Sequence, residues 1–371
     1  MTSGGRQHKF HAADSMEMQT MDETTETKAT EVRAGAAKFV PMNLTLGRGL
    51  DIGTANLVCA ARTVGGETII RAQRNAFIDI VSNPFTKNML TKLDVHYVVS
   101  DGALCVLGDP AFEFANIFNR NMRRPMKNGF ISPDETDALP MIKVLVENLV
   151  GHPREEGEVC YFSIPADPID MEMNVVYHKG IFEGILRRLG YNPRAMIEGH
   201  AVVFSELADE DFTGIGISAG GGLFNVCVAY KTVPAISFSI GRGGDWIDEN
   251  VARVTGIAVS RATLAKERGV NLAKPKNRIE EAIAIYYRNL ITYTIDALKH
   301  EFTQSRSLPT FPEPIVIACS GGTTMIEGFT EVFTEEFEKS GFPIAVKEIR
   351  RARDPLNSVA RGLLVASLSE K

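Results

Sequence analysis

From Leu44 onward, short apolar runs alternate with glycine-bearing breaks and then with stretches of helical period, whereas the first 42 residues keep neither rhythm. "LTLGRGLDIGTANLVCAART" reads as strand, turn, strand, and "GGETIIRA" adds a third strand after a Gly-Gly turn. "DVHYVVSDGALCVLGDPA" reads as a second hairpin that turns at Asp101-Gly102. Helical patterns then interleave with strands. Ala138 to Val150 is amphipathic, and "VCYFSIP" is a buried strand. Ile169 to Leu189 reads as one long helix with Met173, Tyr177, Ile181 and Ile185 on its apolar face. A second strand set opens at Gly214 with "IGISAGGGLFNVCVAY" and "VPAISFSIGRGG". Helices over Trp246–Thr255 and Ile279–Phe302 follow, and "PIVIACSGG" is a last buried strand running into a glycine turn. Helix alternating with strand predicts an α/β fold with sheets covered on their faces. The strand–glycine turn–strand device occurs twice, near Asp51 and near Gly220, which predicts two similarly built halves facing one another.

The leading segment, Met1 to Met42, mixes Ser, Thr, Gly, Met and both charge signs; "MDETTETKATEVR" predicts a disordered tail with no strand or core helix. It lacks the apolar stripe and basic face of a membrane-surface helix, which argues against membrane contact. No apolar run approaches the roughly 20 residues of a membrane span, and the start does not have the order of a secretion signal. A cytoplasmic address is expected. At 371 residues, 44% of them hydrophobic, the chain has material for about two domains. Its formal charge of −6 excludes the basic footprint of a general nucleic-acid binder. Cys59, Cys105, Cys160, Cys227 and Cys319 lie in or beside apolar runs without a C-x-x-C pair and read as small buried hydrophobes. The seven histidines show no metal-ligand spacing.

The candidate chemistry sits in the glycine turns. In "ISAGGGLFNV", three glycines between two apolar runs would let the backbone approach phosphate closely, or simply close a tight hairpin. Asp51 before the first turn is a metal-facing acid or an Asx-turn residue. Glu198 opens a helix, where an acid also suits the helix dipole.

The order of these pieces resembles the actin-like ATPase superfamily from Leu46 onward, with bacterial actins of the MreB and MamK kind as the nearest likeness. "GLDIGTAN" looks like its first phosphate turn, and "VLGDPA" followed by "RRPMKNGFISPDETDALPMIK" like its R-P-x-K-x-G-x-I stretch. "MIEGHAVVFSE" resembles the segment of the catalytic glutamate, "ISAGGGLFNV" the second phosphate turn, and "GRGGDWIDENV" the G-G-D-x-x-D segment. "IVIACSGGTTMIEGF" resembles the adenosine turn and "DPLNSVARG" the closing signature.

The resemblance implies an α/β, actin-like ATPase fold of two lobes around a cleft for ATP and Mg²⁺. Lobe I would span 43–197, with a small subdomain at about 75–120, completed by 355–371. Lobe II would span 198–354, with a subdomain at about 250–310. Gly53, Thr54, Ala55 and Asn56 would turn their amides to the β- and γ-phosphates, and Asp51 would face Mg²⁺ through its water shell. Glu198 would orient the water that attacks the γ-phosphate. Gly243, Gly244 and Asp245 would lie near ribose and phosphates, and Ser320, Gly321, Gly322 and Thr323 against adenine and the α-phosphate. Lys266 and Glu267 are offered for the ribose, although their spacing departs from the family's E-x-x-K.

Two further departures matter. The second turn, D-x-G-G-G-T-T in relatives, here runs Ser218, Ala219, Gly220, Gly221, Gly222, Leu223, Phe224, so the metal-side acid and both hydroxyls are replaced. Ser218 and Asn225 are left to supply hydrogen bonds, and binding should survive better than fast hydrolysis. Gly199 stands where relatives carry proline, and His200 beside it reads as a surface histidine. The implied function is a filament-forming, slowly hydrolysing cytoskeletal protein whose partner is itself. The rivals are a chaperone-like or scaffold ATPase module and a small-molecule kinase of the same superfamily.

Overall fold

The computed structural model describes residues 31–33, 43–95, 97–100, 102–118, 120–305 and 308–370. Along the chain, β1 (Glu31–Arg33) precedes the meander β2 (Leu44–Ile52), β3 (Asn56–Thr63) and β4 (Thr68–Arg74). A small unit follows: β5 (Phe77–Val81), α1 (Pro84–Lys92), β6 (Tyr97–Ser100), β7 (Ala103–Leu107) and α2 (Asp109–Phe118). The short hairpin β8 (Met126–Lys127) and β9 (Phe130–Ile131) leads to α3 (Ala138–Val150), β10 (Val159–Ile164), α4 (Val175–Arg188), β11 (Asn192–Ile197) and α5 (Glu198–Glu206). A second meander comprises β12 (Gly214–Ala219), β13 (Phe224–Tyr230) and β14 (Val233–Ile240). Then come α6 (Gly244–Thr255), α7 (Val259–Glu267), α8 (Arg278–Gln304), β15 (Ile315–Ser320), α9 (Phe329–Ser340), β16 (Val346–Arg351) and α10 (Ser358–Ser369).

The same sheet is built twice. One has the order β11-β10-β2-β3-β4 and the other β16-β15-β12-β13-β14, each an antiparallel meander extended by two parallel strands. The equivalence holds to the residue. Asp51 lies opposite Val58 and Ser218 opposite Asn225, and both meanders turn on a glycine amide that donates to the carbonyl three residues on, Gly53 to Asn56 at 3.0 Å and Gly220 to Leu223 at 2.9 Å. A third sheet, β1-β6-β7-β5, packs Ile78, Ile80, Val106 and Leu104 against Leu90 of α1 and Phe114 of α2.

Two helices lie between the large sheets. Ala360 and Leu364 of α10 cover Val58 and Ala60 of β3, while Val202 and Val203 of α5 join Cys227, Val316 and Ala318 of the second sheet. Helix α10 meets both α5 and β2 backbone to backbone: a Cβ on Gly362 would stand 2.6 Å from the carbonyl carbon of Ala201 in α5, and one on Gly49 of β2 would stand 2.5 Å from the amide of Leu364.

Three expectations change. The segment expected as a helix from Ile169 begins only at Val175, because Asn174 caps it (its side chain accepts from Tyr177 N at 2.8 Å) and the residues before are held by β14. Its buried face is His178, Phe182, Ile185 and Leu186, with Tyr177 exposed, since a strict four-residue spacing drifts around a 3.6-residue helix. The tail expected to hold no strand contributes β1, antiparallel to β6; its remaining residues lie outside those described.

Candidate functional site

At the first turn, Asp51 accepts a hydrogen bond from Ser163 Oγ of β10 at 3.0 Å, and the same hydroxyl accepts from Ile52 N at 2.7 Å. Asn75 braces the turn from outside, donating from its side chain to Gly53 O (2.9 Å) and from its amide to Ala55 O (2.9 Å). Of the four amides expected to face phosphate, that of Gly53 is already committed to Asn56 O; those of Thr54 and Ala55 have no protein acceptor among the described residues, and Asn56 opens β3.

The second turn is pinned by its carbonyls. Gly220 O accepts from Gly244 N (3.0 Å) and Thr323 Oγ1 (2.8 Å), and Gly221 O accepts from Asp245 N (2.8 Å). The amides of Gly221 and Gly222 are left without a protein acceptor among the described residues. Room distinguishes these glycines. A Cβ on Gly221 would meet nothing nearer than the Asp245 carboxylate at 3.6 Å, but one on Gly222 would stand 2.5 Å from Gly129 N and 2.6 Å from Thr54 Oγ1. Gly222 is therefore required by the approach of the two turns, while Gly220 and Gly221 stay half-buried at the cleft. Gly129 N donates to Thr54 Oγ1 at 2.8 Å, and Leu223, 3% exposed, seats its side chain on Gly129. Phe224 is core of the second sheet. Both apolar departures are thus packing residues.

Glu198 is the first residue of α5, and its Oε2 accepts from Ser218 Oγ at 2.8 Å. Removal from water and the like charge of Asp51 push Glu198 up to about 8, which Ser218 and Asn225 partly offset. Burial likewise lifts Asp51 to about 6, against the hydrogen bonds of Ser163 and Ile52. Two carboxylates, Asp51 near the end of β2 and Glu198 at the start of α5, therefore sit close together with too little positive charge around them. Gly199 accounts for its own departure: a Cβ there would stand 2.8 Å from Cys227 N and 3.0 Å from Gly216 O, so a proline would force α5 off β12 and β13. The His200 ring lies half-buried, 2.8 Å from Thr232 O and edge-on to Phe204.

Gly243, Gly244 and Asp245 form the start of α6 beneath the second turn, where a Cβ on Gly243 would stand 2.7 Å from Gly221 C. Asp245 pairs with Arg124 across the cleft at 3.1 Å. Lys266 joins this group, donating to Gly244 O (2.9 Å) and pairing with Asp248 (2.8 Å), whereas Glu267 is exposed and makes none of these contacts. At the third turn, Thr323 reaches Gly220, Gly321 adopts φ 97° with its Cα against Ala219, and Gly322 is exposed. Ser320, expected at the nucleotide, instead donates to Pro355 O at 3.0 Å, as does Gly321 N at 2.9 Å.

Ser163, Asn75, Arg124 and Asp248 are not singled out by the sequence pattern. Asp248 is the second acid of the quoted G-G-D-x-x-D run and Arg124 the arginine of the R-P stretch; Ser163 could be found only by matching β10 to β15, where it corresponds to Ser320. All five cysteines are buried and free, and burial pushes the Cys59 thiol up to about 11. Among the described residues no cluster of three His, Cys, Asp or Glu offers a metal site, and no helix is long and apolar enough to cross a membrane.

Twin five-stranded sheets whose glycine turns meet over α5 and α10 define the actin-like ATPase fold. Solved structures agree. A MamK double helical filament superposes with a TM-score of 0.67 at 17% identity, over 88% of this chain and 99% of that one. MreB 5 of Spiroplasma citri bound to AMPPNP gives 0.60 at 15%, over 85% and 94%. The ethanolamine utilization protein EutJ from Carboxydothermus hydrogenoformans gives 0.52 at 16%, over 89% and 92%. These identities speak for the fold alone. Among curated protein sequences none matches. The family model described as Volactin matches residues 46–367, and the chain belongs to the Volactin family.

Proposed function

We propose that this chain binds ATP between its two glycine turns, assembles with copies of itself into filaments, and hydrolyses the nucleotide slowly. The observation that carries the reading is the meeting of the turns, with the free amides of Thr54, Ala55, Gly221 and Gly222 beside Asp51 and Glu198. Free backbone amides at glycine turns are what a phosphate chain uses. On this reading the lobes are 43–197 with 355–371, and 198–354.

The donor set also suits Mg²⁺. Asp51 and Glu198 are both held above the usual carboxylate range by burial, and a divalent ion arriving with the nucleotide would neutralise them. Asp51, oriented by Ser163, would hold that ion's water shell, and the ion would supply charge neutralisation to the phosphates. Glu198, held by Ser218 and Asn225, would orient the attacking water. Ser218 adds no charge where relatives place an acid, and this is the basis for slow turnover.

The filament half of the proposal draws on the MamK filament and on the shared fold. Closure over nucleotide would set the angle between lobes and so the fit of one copy on the next, a head-to-tail contact of the kind that propagates. The test combines pelleting and negative-stain electron microscopy of the full chain with ATP–Mg²⁺, ADP and no nucleotide, alongside phosphate release. Filaments with ATP and phosphate release on the scale of minutes are expected. Nucleotide binding without polymer would favour the chaperone-like or scaffold module, and phosphorylation of a sugar or acetate the kinase.

A further inference from the structure

Arg123 and Arg124 are neighbours in the chain and serve opposite sides of the cleft. Arg124 precedes Pro125, and a residue before proline is confined to extended backbone, along which successive side chains point to opposite sides. Arg123 turns towards the first half. Its backbone pairs with Phe77 of β5 (Arg123 N to Phe77 O 2.8 Å, Phe77 N to Arg123 O 2.9 Å), and its guanidinium lies over the Phe77 ring and meets Asp79, Glu135 and Asp137. Three carboxylates on one guanidinium make that residue an anchor. Arg124 turns the other way, to Asp245 of α6 at 3.1 Å.

Asp245 is fixed to the second turn. Its amide donates to Gly221 O at 2.8 Å, and its carboxylate bounds the open side of Gly221, 3.6 Å from where a Cβ would stand. The space beside Gly221 thus has the Asp245 carboxylate as its wall, and Arg124 reaches that wall from the anchored segment opposite. The two side chains are 38% and 34% exposed, so the pair lies between the turn and solvent. Deeper in, the halves meet by backbone and apolar packing, with Gly222 against Thr54 and Gly129 and Leu223 on Gly129. Packing of that kind does not answer to salt in the low range, whereas an exposed ion pair is screened by it.

We infer that Arg124 and Asp245 form a latch over the second turn, one that must open for nucleotide to leave and so sets how long it stays. The inference rests on the ATP reading above and adds to it the regulation of that same site. Arg124 acts on release through Asp245 and not by touching phosphate. An exposed pair is weak, which suits a contact that opens in every cycle, and this bounds its effect: losing the pair should speed release about two- to fivefold. Arg124→Gln and Asp245→Asn each remove one charge at a part-exposed position, and Arg124→Lys keeps the charge.

The experiment follows N-methylanthraniloyl-ADP with Mg²⁺ by stopped flow, on the full chain below the concentration at which it assembles, in low and in high KCl. At low salt both single variants and their double should release the probe faster by the same factor, about two- to fivefold, while association changes by less than twofold. Arg124→Lys should stay within about twofold of the parent. At high salt the parent should approach the variants, because screening has already weakened its pair. Release unchanged in Arg124→Gln, a double variant equal to the product of the singles, or a parent-to-variant ratio indifferent to salt each overturns the latch. Slower association in Arg124→Gln with tighter binding in Asp245→Asn overturns it too, and makes Arg124 a direct phosphate ligand. A parent that binds no probe overturns the ATP reading itself, and this inference with it.

Discussion

Replacing Gly362 with alanine should destabilise the protein, although alanine is the better helix former by about 1 kcal/mol. The added Cβ would stand 2.6 Å from the carbonyl carbon of Ala201, with the carbonyl oxygen nearer still. Ordinary contact begins near 3.4 Å, and the oxygen is the atom that must be cleared, so α10 and α5 must separate by more than an ångström. A gap of about an ångström already forfeits roughly a half of the dispersion energy at each opened contact, and the cluster of Val202, Val203, Val359 and Leu363 is what would open. A shift this large belongs at the upper end of the roughly 1–3 kcal/mol that overpacking costs. With the propensity gain set against it, Tm should fall by several degrees, at about 2–4 °C per kcal/mol for a domain of roughly 200 residues. Gly180→Ala and Gly184→Ala provide the internal control. Both sit inside α4 with nothing within 4 Å of the new Cβ, so each should raise Tm by up to a few degrees. Thermal melts of the three variants decide by sign. If Gly362→Ala melts at or above the parent, as the α4 variants should, the backbone contact does not limit that crossing.

Glu198→Ala should lower phosphate release about 100-fold while ATP affinity changes less than threefold, since water positioning is needed mainly in the transition state; single-turnover release beside equilibrium binding checks it. Ser218→Asp replaces a donor to Glu198 with a third carboxylate beside Glu198 and Asp51, so Tm should drop without Mg²⁺ and recover with Mg²⁺–ATP, and a drop that Mg²⁺–ATP does not reverse would speak against a metal at that place. His178, packed between Phe130 and Phe182, is lowered by burial to about 4. The unfolded chain therefore binds the extra proton between about pH 6.5 and 4. The stability at stake, up to about 3 kcal/mol, is intact above pH 6.5 and lost as pH falls towards 4; urea melts of His178→Leu should show a flatter profile over that window.

Much of the fold was legible because period and punctuation agreed. The twin meanders announced themselves through glycine turns flanked by apolar runs, and Glu198 fell at a helix start as its sequence context required. What escaped notice depended on partners distant in sequence. Ser320 looked like a turn residue facing ligand, but its hydroxyl goes to Pro355, 35 positions away, a contact no local pattern encodes. Gly199 looked like a lost proline until the backbone of β12 and β13 appeared against it. Lys266 and Glu267 are neighbours in the chain yet separate in space, because adjacent helical residues point about 100° apart; only Lys266 reaches Asp248. The extended stretch before Val175 hid behind apolar residues whose partners are strand edges rather than a helical face.

The placement of α10 has a consequence for how the chain comes off the ribosome. Strands β2 to β4, β10 and β11 are all synthesised by Ile197, but the helix that covers Val58 and Ala60 begins at Ser358. Roughly 160 residues separate the two, about 10–30 s of synthesis at bacterial or eukaryotic elongation rates. Over that interval the first sheet exists with its inner face bare, able to pair with α3 and α4 on the other side but not to close. The second sheet and α5 emerge meanwhile and offer an apolar surface of their own. The cover of the first sheet is therefore made long after its strands, and how long that face stays open during synthesis is set by the position of α10 along the chain rather than by the stability of the finished protein.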